Sequence, residues 1–322
     1  MARIRPSTSV RSCAMSASSL DRRTFLFAVA GAALASCRSA ATNATPDEFV
    51  QAIAALERAR GGRLGVAVLD TADGTVRGHR LDERFAMCST FKLSLAAMCL
   101  ERAARGGRAL TERVRVEARD VLSHAPVTKA VVEAAAARGA AFGEATVGEL
   151  AEAAQVRSDG SAANLLLRDV GGLEAFNAFL RAHGDTVTRL DRFEPEMNDV
   201  RPGDERDTTS PRAMASLVAR LLGGGLPPAA RTTLRQWMLA TATGAARVRA
   251  GLPPEWLAGD KTGTGGGDGV TVKCNDVVWI EPPGRAPLVV AVYYDTGVVA
   301  EWPSDADEGV LAEVGRLVAR TR

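Results

Sequence analysis

Strand-like patterning occurs at two distant places in this chain, and a long helical stretch separates them. In the first, Leu64, Val66 and Val68 alternate with smaller or polar residues, Asp73-Gly74 supplies a tight turn and residues 75–80 return, which reads as a β-hairpin. In the second, residues 259–264, 276–281 and 288–294 carry strand signals, the last two joined by Pro282-Pro283-Gly284. Between Ser89 and about Ala240 the pattern is helical and alanine-rich, broken at Gly106-Gly107, Gly171-Gly172 and Gly223-Gly224-Gly225. Strands from both ends can share one antiparallel sheet, which makes this an α+β chain. A helix opened by a Thr45-Pro46-Asp47-Glu48 capping box and stopped at Gly61-Gly62 precedes the hairpin. A closing helix carries Val310, Leu311, Val314, Leu317 and Val318 on one face. Both helices are expected to cover one face of the sheet. Residues 45–86 and 241–322 then make an α/β lobe, residues 87–240 an inserted all-α lobe, and the cleft between them is where a site belongs.

At 322 residues, 46% hydrophobic and 24% charged, the chain can build one large or two ordinary domains. Its formal charge is +2, but residues 1–36 hold five arginines and one aspartate, so +2 less +4 leaves −2 on the body. Such a balance is no signature of nucleic-acid binding. Three scattered histidines, His79, His124 and His183, with no cysteine at metal-ligand spacing, argue against a zinc hydrolase and against a Ser-His-Asp triad. No cofactor or metal is implied.

The first segment reads as an address. Arg22-Arg23-Thr24-Phe25-Leu26 is a twin-arginine element, and the apolar run over residues 25–34 is too short to span a bilayer. Leu34-Ala35-Ser36-Cys37 resembles a lipoprotein lipobox, which would make Cys37 a lipid anchor; a plain cleaved signal peptide is the alternative. Met15 is a second candidate start. Residues 1–37 are therefore expected to be an export signal read by the twin-arginine machinery, followed by a small-residue tether over 38–44. The body is expected outside the cytoplasm, in the periplasm, touching a membrane only through Cys37.

Four short motifs carry chemistry. Ser89-Thr90-Phe91-Lys92 places a hydroxyl and an amine on one helical face at a helix start, although a capping serine before an exposed lysine would look the same. Ser158-Asp159-Gly160 alone is an ordinary turn into a helix, and Lys261-Thr262-Gly263-Thr264 alone an edge strand. Together, in this order, they match the three-motif set of penicillin-recognising serine enzymes. Arg192-Phe193-Glu194-Pro195-Glu196-Met197-Asn198, closed by Arg206-Asp207-Thr208-Thr209, resembles the omega loop of class A β-lactamases.

The resemblance to that class covers residues 45–318. It implies a two-lobe fold and hydrolysis of β-lactam antibiotics; separately, a monomer is expected. It assigns Ser89 as nucleophile, with the Ser89 and Thr264 amides as oxyanion hole. Lys92, or Glu194 through a water, takes the serine proton. Ser158 relays a proton to the departing nitrogen beside Lys261, and Glu194 with Asn198 holds the deacylating water. Arg192 is expected to pair with Asp207. Lys261, Thr262, Thr264 and Arg247 are expected at the substrate carboxylate, with Arg249 competing for that last role. His124 stands where the class has a cleft-edge aromatic, and Gly160 where it usually has an asparagine that binds the substrate amide. Some relatives form a disulfide from the position of Cys88, but their partner position is Gly265 here; Cys274 is the nearest alternative and Cys99 reads as a buried thiol. A penicillin-binding transpeptidase or carboxypeptidase, or a sensor that stays acylated, would share the first three motifs. Neither would keep Glu194 with Asn198.

Overall fold

The computed structural model describes residues 47–320; the twin-arginine element, Cys37, the 38–44 tether and Thr45 lie outside the described residues. The first helix, α1 (Glu48–Arg60), is capped by the Asp47 carboxylate, which accepts from the Phe49 N–H at 2.9 Å, and it ends where Gly61 turns left-handed at φ 77°. The expected cap at Thr45 is thus replaced by Asp47, whose side chain reaches two residues on.

The hairpin forms as read, from β1 (Arg63–Asp70) and β2 (Val76–His79), with Gly74 at φ 75° in its turn. After β3 (Phe85–Ala86) come a 3-10 turn at Cys88–Thr90 and α2 (Phe91–Ala104). Next are β4 (Arg113–Val116), α3 (Pro126–Ala136), β5 (Gly143–Thr146), α4 (Val147–Val156), α5 (Gly160–Asp169) and α6 (Gly172–Ala182). Then β6 (Thr208–Thr209), α7 (Pro211–Arg220) and α8 (Pro228–Leu239) lead to β7 (Leu257–Gly267), β8 (Val270–Glu281), β9 (Leu288–Val299) and α9 (Asp305–Arg320). Two strand pairs, β3 with β6 and β4 with β5, lie in or beside the stretch read as purely helical. At two to four residues each they are too short for alternation to show.

Strands from the two ends of the chain share one antiparallel sheet in the order β2-β1-β9-β8-β7. One face packs α1 and α9 through Phe49, Ile53, Val290 and Val314. The opposite face is covered by helices of the insertion, so β8 and β9 are buried along most of their length. Residues 87–240 keep no core to themselves: a single cluster runs from Leu69 and Tyr293 on the sheet through Met214 and Leu217 of α7 to Phe91 and Leu150. That continuity fixes the position of α2, and with it Ser89, against β7 and β8.

Candidate active site

Ser89 sits in the 3-10 turn before α2, entered through Cys88 at φ 46°. A left-handed non-glycine residue persists only where its surroundings hold it. Here the hold comes from the sheet: Asn275 Nδ2 donates to Ala86 O at 2.9 Å and Met87 O at 3.2 Å, and Thr90 Oγ1 shares a hydrogen bond with Tyr293 Oη at 3.2 Å. Gly263 of β7 approaches so closely that a Cβ there would lie 2.6 Å from Met87 O. Glycine in the Lys-Thr-Gly motif is thus what lets β7 and the nucleophile turn pack together.

Lys92 Nζ donates to Ser89 Oγ at 2.7 Å and to Ser158 O at 3.0 Å, and lies 2.8 Å from Glu194 Oε1. Ser158 adopts φ 56°, which delivers its carbonyl to Lys92 while its Oγ accepts from Lys261 Nζ at 2.9 Å. Asp159 caps α5 through the Ala162 N–H at 2.8 Å and also accepts from the Val127 N–H (2.9 Å), the Thr128 N–H (3.0 Å) and Thr128 Oγ1 (3.0 Å). The cleft-edge segment is therefore tied to the second serine motif, and His124 O accepts from the Gly160 N–H at 2.9 Å.

Glu194 is gripped at both ends. Its backbone is clamped by Asn164, which donates to Glu194 O at 2.7 Å and accepts from the Glu194 N–H at 3.0 Å, and Asn198 Nδ2 donates to Oε2 at 2.6 Å. Burial opposes its charge, but the Lys92 ammonium and the hydrogen bonds from Lys92, Asn198 and Ser89 hold the carboxyl below its usual range. The loop is closed by Arg192, whose Nε donates to Asp207 Oδ2 at 2.6 Å; Asp207 Oδ1 accepts from the Asp191 and Arg192 amides at 2.7 and 3.0 Å.

At the other end, Lys261 is wholly buried, and burial followed by repulsion from Lys92 pushes its ammonium well below the usual lysine range. Thr262 Oγ1 meets Thr243 Oγ1 at 2.8 Å. Arg247 and Arg249 point to different places. Arg249 faces Asp260 at 3.4 Å and the carbonyls of Thr241 and Thr243. Arg247 borders the cleft, bonded to Glu308 Oε1 (3.0 Å), Gly263 O (3.1 Å), Asn275 O (2.8 Å) and Thr264 Oγ1 (2.8 Å). Four of its five N–H groups are used, so a two-pronged grip on a carboxylate is not on offer and one Nη2 hydrogen remains beside Thr264.

These residues line one cavity of about 790 Å³ that includes Ser89, Lys92, Ser158, Glu194, Asn198, Thr262, Thr264 and Arg247, with His124 and Gly160 on its edge. A Cβ on Gly160 would meet only ordinary contacts, at 3.4 Å from His124 O and Leu122 Cδ1, so crowding does not explain the glycine. Cys88, Cys99 and Cys274 are free, buried thiols; a Cβ at Gly265 would stand 2.9 Å from Cys88 Sγ. His79 and His183 are taken up by Glu57 (3.0 Å) and Glu101 (3.2 Å), away from the cleft. Sequence reading gave no role to Asn164, Asp159 or Asn275. Asp159 carried a signal as the cap of α5 and Asn164 lies one helical turn beyond Gly160; Asn275, on β8, carried none.

A half-buried hydroxyl joined to a buried ammonium–carboxylate pair at a cleft between sheet and helices is the equipment of a serine hydrolase that works through an acyl-enzyme. The β-lactamase enzyme family matches residues 48–321. β-Lactamase CTX-M-8 of Citrobacter amalonaticus is 41% identical over 87% of this chain and 91% of its own length. β-Lactamase L2 of Stenotrophomonas maltophilia is 46% identical over 83% and 84%. Among solved structures, an ancestral class A β-lactamase superposes with a TM-score of 0.78 at 49% identity, covering 85% of this chain and all of that one. The chain belongs to the β-lactamase family and is a class A serine β-lactamase. Membership implies β-lactam hydrolysis and antibiotic resistance.

Proposed function

We propose that the enzyme opens the β-lactam amide by acylating Ser89 and releases the product with water activated by Glu194. The observation that carries this reading is the contact chain from Ser89 Oγ through Lys92 Nζ to Glu194 Oε1, at 2.7 and 2.8 Å. As an ammonium, Lys92 cannot accept a proton, whereas Glu194 is held ionised. If Lys92 is the immediate base, it must first pass a proton to Glu194; if a water is the relay, Glu194 receives the proton directly. Both routes leave the same net state, with Lys92 an ammonium and Glu194 protonated.

Attack by Ser89 Oγ breaks the lactam C–N bond, and the nitrogen takes a proton from Ser158, whose hydroxyl Lys261 contacts at 2.9 Å; the proton collected by Glu194 returns to Ser158 by way of Lys92, which leaves Glu194 ionised for the second step. The Ser89 and Thr264 amides would stabilise the oxyanion, where one donor is worth on the order of 3 kcal/mol. Glu194 and Asn198 then hold the water that attacks the ester, regenerating Ser89. Thr262, Thr264 and the remaining Arg247 hydrogen would receive the substrate carboxylate, and His124 the side-chain edge. Steady-state hydrolysis of a chromogenic cephalosporin tests this. Sustained turnover is expected, and a stoichiometric burst without turnover would identify a transpeptidase or a sensor.

Export belongs to the same reading, supported by Arg22-Arg23 and the Leu34-Ala35-Ser36-Cys37 sequence. The product would act in the periplasm, attached to a membrane if Cys37 is lipidated. Membrane partition of wild-type protein that is lost in Cys37→Ala is the expected result; equal soluble fractions would make the cysteine incidental.

A further inference from the structure

The cavity extends past the carboxylate end into a region that the acylation chemistry does not use. Its far wall is formed by the tip of the β7–β8 hairpin and by the segment joining β9 to α9, and it includes Asp268, Glu301, Trp302 and Pro303. The two walls are fastened together: the Gly267 N–H donates to Ala300 O at 2.8 Å, and a Cβ on Gly266 would lie 2.5 Å from the same carbonyl. Arg247, bonded to Glu308 at 3.0 Å, anchors the other end of the segment. Trp302 is thereby held between two fixed points.

Trp302 is 64% exposed, the most exposed large apolar side chain among the described residues, and it opens onto the cleft that contains Ser89. At the edge of a ligand cavity, an exposed indole offers a flat apolar face to a bound substituent. Its neighbours say what kind of group that is. Glu301 and Asp268 are exposed, and among the described residues neither carboxylate has an ion pair or side-chain hydrogen bond. Glu196, on the loop that carries Glu194, is the other exposed and unpaired acid of the cavity among the described residues; Glu308 is engaged with Arg247 at 3.0 Å, Asp199 with Arg201 at 3.0 Å, and Glu194 with Lys92 at 2.8 Å. An aromatic face flanked by two uncompensated carboxylates attracts a flat or compact cation, through the ring quadrupole and through charge.

Resting on the β-lactamase reading, we propose that Trp302, with Glu301 and Asp268, is a specificity-determining residue that holds a positively charged substituent of the substrate. The substituent concerned is the one nearest the ring carboxylate. In a cephalosporin, the carbon bearing that carboxylate is bonded to the carbon bearing the second substituent, so a carboxylate placed at Thr264 and Arg247 directs that group toward the 300–303 segment. The acylamino side chain leaves from the lactam ring toward Gly160 and His124 instead.

The test uses two cephalosporins with the same acylamino side chain, one carrying a pyridinium-methyl group and the other a neutral acetoxymethyl group. For wild type, Trp302→Ala and the double variant Glu301→Gln/Asp268→Asn, kcat and KM are measured at low and high salt. The ratio of KM for the cationic compound to KM for the neutral one should rise about tenfold in Trp302→Ala. It should rise less in the double variant, and that increment should shrink at high salt. A ratio unchanged in both variants, or one moved only by loss of aromatic area with no salt dependence, overturns the assignment. Melting temperatures separate misfolding from lost recognition. Failure of wild type to turn over either compound would instead contradict the proposed Ser89–Glu194 hydrolysis on which this inference rests.

Discussion

Lys92 Nζ lies 2.8 Å from Glu194 Oε1, and both side chains are almost fully buried, at 1% and 7% exposure. This pair joins the two half-reactions: Lys92 touches the nucleophile, and Glu194 is the group that must collect protons. It also sets a pH limit. Glu194 is held below 4.5, so its folded-state value is depressed, and the stability it contributes is present above the unfolded value and lost as pH falls. The acid limb of kcat/KM should therefore lie below pH 4.5 and run together with loss of stability. An acid limb above that value, with the protein still folded by fluorescence, would mean that the essential base is another group.

Arg192 is the closing clasp of the loop that carries Glu194. In Arg192→Ala the buried Asp207 keeps its two backbone donors but loses its counter-ion, so unfolding in urea should show a loss of about 2 kcal/mol. Turnover should fall as well, because Glu194 would be misplaced rather than removed. Unchanged stability and kcat would show that the loop is held by Asn164 and Asn198 alone.

Arg247 and Arg249 should separate cleanly. Arg247→Ala should raise KM by roughly 30-fold, for about 2 kcal/mol of one charged hydrogen bond, with a smaller effect on kcat. Arg249→Ala should act on stability, since it removes the cation facing Asp260 at 3.4 Å. Kinetics untouched by the first change and crippled by the second would reverse the assignment.

Beneath Lys261 lie two buried carboxyls. Asp260 and Asp276 are on adjacent strands at diagonal positions, and neither Asp260 oxygen nor Asp276 Oδ1 has a donor among the described residues. Burial, opposed by Arg249 and Lys261, pushes Asp260 up to about 6; burial and the Asp260 charge push Asp276 well above the usual range. Raised values mean that the folded protein holds protons the unfolded chain gives up. Stability should decline as pH rises from 3.8 to about 6. Asp276→Asn supplies a permanent donor in place of the shared proton, so it should flatten that slope and raise Tm at pH 8. A Tm at pH 8 below that of wild type would contradict a shared proton.

Much of the fold was legible because alternation and helical spacing report burial directly, as at Val66 in the hairpin or Val310 and Val314 in the last helix. The end of β7 was not: Gly265, Gly266 and Gly267 have no side chains to alternate, so the strand runs on unseen to Gly267. In the site, motifs put Ser89, Lys92, Ser158, Glu194 and Lys261 on the page, but not the residues that hold them. Asn275 supports the Ser89 turn from 189 and 188 positions away, and no local pattern encodes a contact of that range. The engagement of Arg247 by Glu308, Gly263, Asn275 and Thr264 likewise follows from tertiary packing, which leaves a single Nη2 hydrogen for a substrate carboxylate.

The most direct test of the two-step mechanism is mass spectrometry of Glu194→Ala mixed with a cephalosporin. Without Glu194, Lys92 still lies within reach of Ser89 Oγ, at 2.7 Å, and can serve acylation by passing a proton to solvent. No group then remains to activate the ester's water. A stable adduct on Ser89 should accumulate in Glu194→Ala, and none should form in Ser89→Ala. Rapid return of Glu194→Ala to the free-enzyme mass would contradict the account.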